Sequence, residues 1–149
     1  MRSVAMVRQG LHDGIPEPAV AGIGIHAGMP HRRHNDLGST DREVRPGGLI
    51  GVISSAQGSI SDNMNGRHEV YRSSKSALNQ LMRSYAARHA DDGRALLLMA
   101  PGWIRTDLGG PKAPFSVEES IPKVVDVLIS KHGRPGLEYL DRDGNTVRW

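Results

Sequence analysis

From residue 48 onward the sequence alternates between short apolar runs and longer stretches of helical spacing, and this alternation restricts the fold more than any other feature. Leu49-Ile50-Gly51-Val52-Ile53 is a continuous apolar run, the pattern of a strand buried on both faces. A helix is predicted from Tyr71 to about His89, because Leu78, Leu81, Met82, Tyr85 and Ala86 fall at helical spacing and make one apolar stripe. Asp91-Asp92-Gly93 stops it. The run from Arg94 to Ala100 predicts a second buried strand, closed by Pro101-Gly102. Ser116-Val117-Glu118-Glu119 has the form of a capping box. It opens a helix to about Lys131, with Val117, Ile121, Val124, Val125 and Leu128 assigned to the inner face. Pro122 fits that helix best if the helix begins at Ser120. Gly136 to Leu140 is a third short strand. Strand, helix, strand, helix, strand in this order predicts an α/β fold with a parallel sheet and right-handed crossovers. Such sheets carry their chemistry at the carboxyl ends of the strands, where Ser54-Ser55 and Pro101-Gly102 fall.

Residues 1–47 differ in kind. All six aromatic residues lie at or after Tyr71, whereas residues 1–47 hold four of the seven histidines and four of the nine prolines. Leu11 to Pro18 reads as a loop and Val20 to Ile25 as a short buried strand. Met29 to Pro46 has no apolar face at either period, and buries too little to offset its ordering entropy. Residues 1–45 are therefore left unassigned, as an irregular and disordered segment, and residues 46–149 are taken as the folded unit.

Composition removes several function classes. No apolar run approaches the roughly 18 residues of a spanning helix, and no sustained apolar stretch follows the first charged residues. Neither a membrane nor a secretory signal is expected. Cysteine is absent, which excludes disulfides and thiolate metal sites and is compatible with the cytoplasm, the expected location. The 19 basic and 16 acidic residues are scattered, with no basic cluster beside aromatics, so nucleic acid is not an expected partner. His26, His31, His34 and Asp36 do not share one helical face, and no metal site is expected.

Tyr71 and Lys75 stand four residues apart, on one face of the predicted helix. An ammonium beside a phenol favours the phenolate. A phenol so placed passes a proton to or from an alcohol or carbonyl oxygen. The spacing alone also suits an ordinary surface helix. Its context is more specific: a serine pair ends a buried strand upstream, and the next strand ends in Pro101-Gly102 with Thr106 beyond.

Three stretches together, Ile53-Ser54-Ser55-Ala56-Gln57-Gly58-Ser59, Tyr71-Arg72-Ser73-Ser74-Lys75-Ser76-Ala77-Leu78-Asn79 and Pro101-Gly102-Trp103-Ile104-Arg105-Thr106, resemble the short-chain dehydrogenase/reductase family in order and spacing. Thr106 to Gly110, Glu118 to Ser120 and Gly136 to Gly144 resemble its C-factor/sniffer-type branch. The resemblance covers about residues 46–149 and implies the C-terminal part of a doubly wound, Rossmann-like domain. It implies an oxidoreductase using NAD or NADP on a small-molecule carbonyl/alcohol pair. Tyr71 would be the acid/base, and Lys75 would assist it and bind the nicotinamide ribose. Ser55 would orient the substrate oxygen, in preference to Ser54. Pro101 and Gly102 would turn the chain over the nicotinamide, and Ile104 and Thr106 would contact its carboxamide. Trp103 would line the substrate pocket. Three bland roles stay open: Ser55 as a backbone cap, Thr106 as a cap on the next turn, and Trp103 as core.

The family's glycine-rich turn and Asn-Asn-Ala-Gly stretch have no counterpart here. Gly22 to Gly28 has Gly-x-Gly spacing but is followed by Met29-Pro30 rather than a helix. Asn79 follows Lys75 and is not the family's catalytic asparagine. The resemblance thus implies a fragment holding the C-terminal half. Its helix with Tyr71 and Lys75 would also be a homo-oligomer face. The alternative is a non-catalytic remnant acting as a dimerisation or binding module.

Overall fold

The computed structural model describes residues 4–7, 44 and 47–149. Four strands, β1 (Val4–Val7), β2 (Leu49–Ile53), β3 (Ala95–Ala100) and β4 (Gly136–Asp141), form one parallel sheet in the order β1-β2-β3-β4. Val52 stands beside Leu98, and Leu98 beside Tyr139. Helix α1 (Glu69–Arg88) connects β2 to β3, and α2 (Val117–Lys131) connects β3 to β4. This is the expected α/β class.

β1 adds a strand within the N-terminal part that residue pattern left unassigned. Val4 to Val7 pairs with Leu49 to Val52 and adds a strand beside β2. Four residues are too few for either hydrophobic period to emerge, so pattern alone did not mark it. The proposed Val20–Ile25 strand, the glycines Gly22–Gly28 and the four residues His26, His31, His34 and Asp36 lie outside the described residues.

Side chains alternate across the sheet, as strand geometry requires. Ile50, Val52, Leu96, Leu98, Ala100 and Tyr139 pack with Leu78, Met82 and Tyr85 of α1. Leu49, Leu97, Met99 and Leu140 pack with Val124, Val127 and Leu128 of α2. The two helices therefore cover opposite faces. The strands step across the sheet in one direction, so the two crossovers have opposite hands, and the expectation of right-handed crossovers throughout does not hold.

Two helix faces also differ from expectation. Leu81 lies on the rim of its stripe and is 46% exposed. In α2 the buried residues are Ser120, Val124, Val127 and Leu128, while Val117, Ile121 and Val125 are 40–44% exposed. The helix carries two apolar stripes, and the sheet takes only one. The capping box is complete: Ser116 Oγ accepts from the Glu119 amide, and Glu119 accepts from the Ser116 amide at 2.6 Å. The helix starts at Val117, so Pro122 sits in its interior, where its ring cannot donate to the carbonyl four residues back. Among the described residues, no helix is long and apolar enough to cross a membrane.

Candidate active site

The ladder between β2 and β3 continues one residue past β2, where the Ser54 amide donates to the Met99 carbonyl at 2.8 Å. The chain then folds into a short helical turn, Ala56–Gly58, with Ser55 as its cap. Ser55 Oγ accepts from the Gln57 amide at 3.2 Å, so the capping role open at Ser55 is realised. This leaves the hydroxyl proton of Ser55 free to donate elsewhere. Its carbonyl accepts from the Gly58 amide at 2.8 Å and from the Tyr139 hydroxyl. Ser54 is buried and its Oγ donates to Asn79 Oδ1 at 2.6 Å, which commits it to structure and leaves Ser55 as the serine at the rim.

The loop after this turn returns at Gly66-Arg67-His68. His68 caps α1 in the left-handed conformation, φ 62°, without a side-chain cap. Arg72 anchors the loop: Nε donates to the Arg67 carbonyl at 2.8 Å, Nη2 to Asn65 Oδ1 at 3.3 Å and Nη1 to the Gln57 carbonyl at 3.4 Å. Tyr71 is half-buried in the first turn of the helix. Lys75, one turn on, is buried; Nζ donates to the Ile53 carbonyl at 3.4 Å and lies 5.8 Å from the centre of the Tyr71 ring. Burial pushes the Lys75 ammonium below its ordinary pKa. Tyr71, Lys75 and the serine turn are thus brought to the carboxyl end of β2.

The loop after β3 supplies the neighbouring wall. The Pro101 carbonyl accepts from Ser120 Oγ at 2.6 Å, tying β3 to α2. Gly102 takes φ 89°, and a Cβ there would meet Phe115 at 3.3 Å. Ile104 pairs with Phe115 as an isolated parallel bridge. Thr106 Oγ1 accepts from the Gly109 amide at 3.1 Å, the capping role left open for it, and keeps its own proton. Trp103 is 55% exposed and Nε1 donates to the Gly109 carbonyl at 2.8 Å, so it is not core. Arg105 closes the loop base by donating to the Ala113 and Pro114 carbonyls at 2.9 and 3.0 Å.

A nicotinamide cofactor can be tested against these groups. Lys75, the phenol of Tyr71 and the spare protons of Ser55 and Thr106 are donors on adjacent strand ends, which suits ribose hydroxyl, carbonyl and carboxamide oxygens. The pyrophosphate end has no such counterpart among the described residues. The N-terminus of α2 is closed by its own Glu119 carboxylate, and Glu69 stands in the first turn of α1. The nicotinamide end fits; a phosphate-binding turn is not among the described residues.

Residue pattern missed Asn79 and Tyr139. Asn79 lies one turn beyond Lys75 on the same helix face, and that spacing was the available signal. Tyr139 reaches from β4 to Ser55 across a separation of 84 residues, which no local pattern carries.

No family model matches the chain. It is 32% identical over 108 residues to the C-signal protein of Myxococcus xanthus, covering 71% of this chain and 65% of that one. A solved chain from Burkholderia multivorans, described as a short-chain dehydrogenase/reductase with bound NADP, is 60% identical with a TM-score of 0.73, covering 74% of this chain and 48% of its own. The carbonyl reductase Sniffer of D. melanogaster is 29% identical with a TM-score of 0.60, covering 74% and 46%. The chain therefore spans about half to two thirds of the length of these relatives. The fold is that of a doubly wound α/β domain, with helices on both faces of a parallel sheet. Over the part these relatives match, the chain belongs to the short-chain dehydrogenase/reductase family.

Proposed function

We propose that residues 46–149 are the C-terminal half of an oxidoreductase domain that uses NAD or NADP to interconvert a carbonyl and an alcohol. One observation carries the reading: Ser55, Tyr71 and Lys75 come from a strand end and a helix to one rim of the sheet, with Lys75 buried behind Tyr71. The relative described as a carbonyl reductase, and the NADP in the Burkholderia structure, support it.

In this reading Ser55 donates its spare proton to the substrate oxygen and fixes its position. Tyr71 gives a proton to that oxygen during reduction and takes it back during oxidation. Lys75 places positive charge beside the phenol, where it favours the charge that appears when Tyr71 gives up its proton. When bound, the nicotinamide supplies or accepts the hydride. Lys75 and Tyr71 would hold its ribose, and Pro101, Gly102, Ile104 and Thr106 its ring and carboxamide. Trp103, exposed on the same side, would meet the substrate. The cytoplasm is the location this reading implies.

Titration of the chain with NADPH, followed by the fluorescence of Trp103, tests the reading. Saturable binding supports it, and no binding by a folded chain overturns it for this chain. A second reading, a non-catalytic module that pairs with a copy of itself, draws on the exposed stripe Val117, Ile121, Val125 and Ile129 of α2. A dimer that does not bind NADPH would favour it.

A further inference from the structure

Three side chains from one face of α1 grip the turn that carries Ser55. Lys75 Nζ donates to the Ile53 carbonyl, Ser76 Oγ donates to the Gly58 carbonyl at 2.9 Å, and Asn79 Nδ2 donates to the same carbonyl at 3.3 Å. Asn79 adds a second contact, because its Oδ1 accepts from Ser54 Oγ at 2.6 Å. Ser54 and Asn79 are each 3% exposed. Asn79 is therefore the side chain that holds both flanks of Ser55, Ser54 before it and Gly58 after it. The approach is close: a Cβ on Gly58 would lie 2.8 Å from Asn79 Nδ2 and 3.0 Å from Lys75 Cβ. From the sheet side Tyr139 donates to the Ser55 carbonyl, so the serine is held from two elements.

We propose that Asn79 is the positioning residue of this site: it locks Ser54 and Gly58 to the helix face that bears Lys75, and so sets the Ser55 hydroxyl against Tyr71. The role needs an amide, with an acceptor for the buried Ser54 hydroxyl and a donor for the Gly58 carbonyl at once. Without the amide the Gly58 carbonyl keeps Ser76, but the buried Ser54 hydroxyl loses its acceptor, which is costly, so the turn would move to find a new one. Asn79 acts through Ser55 and touches no substrate. The catalytic consequence rests on the oxidoreductase reading; the clamp itself does not.

Amide hydrogen exchange on the full chain without cofactor reads the clamp directly, since the Gln57 and Gly58 amides both donate to Ser55. In Asn79→Leu both should exchange about tenfold faster, while Leu97 and Leu98 in β3 keep their protection. Asn79→Asp retains the acceptor for Ser54 and should restore part of the protection at Gln57. Unchanged exchange at Gln57 and Gly58, or equal acceleration throughout β3, overturns the proposal. Should Asn79→Leu not fold, Ser54→Ala breaks the same contact from the other side and carries the same expectation. Where the wild-type chain reduces a carbonyl with NADPH, Asn79→Leu should lower kcat about tenfold and leave KM for NADPH within about twofold. An unchanged kcat also overturns it. A wild-type chain without turnover overturns the oxidoreductase reading alone, and the exchange measurement still decides the role of Asn79.

Discussion

The ammonium of Lys75 sits 5.8 Å from the centre of the Tyr71 ring, one helical turn away. The same ammonium donates to the Ile53 carbonyl, so one side chain connects the phenol to the end of β2. This fixes the phenol's cationic neighbour at the carboxyl end of β2.

Tyr71→Phe keeps the ring and the Lys75 contact and removes only the hydroxyl. In a chain that turns over a carbonyl substrate, kcat should fall by about a hundredfold or more. The melting profile should stay close to wild type, because the hydroxyl is not a core group. Turnover within a few-fold of wild type would remove Tyr71 from the acid/base role.

Lys75 makes stability depend on pH in a stated direction. Burial lowers its pKa in the folded chain, so between the folded and unfolded values the unfolded state holds more protons and stability rises with pH. Below the folded value the ammonium is charged in both states and the burial penalty is complete. Above the unfolded value it is neutral in both and the penalty is gone. Lys75→Met lacks this dependence. Urea unfolding at neutral and alkaline pH should therefore show wild type gaining on the variant as pH rises. A constant difference between the two proteins across that range would contradict the assignment.

Local pattern reached the strands at Leu49, Ala95 and Gly136, both helices and the capping box at Ser116, because each is decided within one or two turns of chain. Through the rule for parallel sheets it put Ser54-Ser55 and Pro101-Gly102 at the strand ends, whereas Tyr71 and Lys75 were joined to them by the family resemblance. It did not separate the two apolar stripes of α2. Val117, Ile121 and Val125 are as periodic as Val124 and Leu128, and only the position of the sheet chooses between them. It also left Val4–Val7 unread, because the evidence for that strand is its partner at Leu49–Val52, distant in sequence. Tyr139 escaped for the same reason: its role is a hydrogen bond to Ser55, far along the chain.

The loop after β3 has its own tight point. A Cβ on Gly109 would collide with the Ile104 carbonyl oxygen, which is backbone and cannot rotate aside. Gly109→Ala should displace the segment that accepts from Trp103 Nε1 and donates to Thr106 Oγ1. Trp103 fluorescence should shift and NADPH binding weaken, with the unfolding midpoint little changed because the loop lies outside both core clusters. Wild-type Trp103 emission in Gly109→Ala would refute the close approach.

Tyr139→Phe isolates the grip on Ser55 from the sheet side. Tyr139 is 1% exposed, and burial pushes its phenol above the ordinary range. A raised pKa keeps the phenol protonated at neutral pH, the form that can donate to the Ser55 carbonyl. Phenylalanine preserves the packing against Trp149, whose ring centre is 5.4 Å away. It removes the donor to Ser55, although the Gly58 amide still donates to that carbonyl. The loss should therefore be modest, about 1 kcal/mol in urea unfolding. Substrate turnover should fall by more than the unfolding change accounts for, since the turn holding Ser55 loosens while the core stays packed. A variant with wild-type unfolding and wild-type turnover would mean that Tyr139 holds the sheet together without setting the serine.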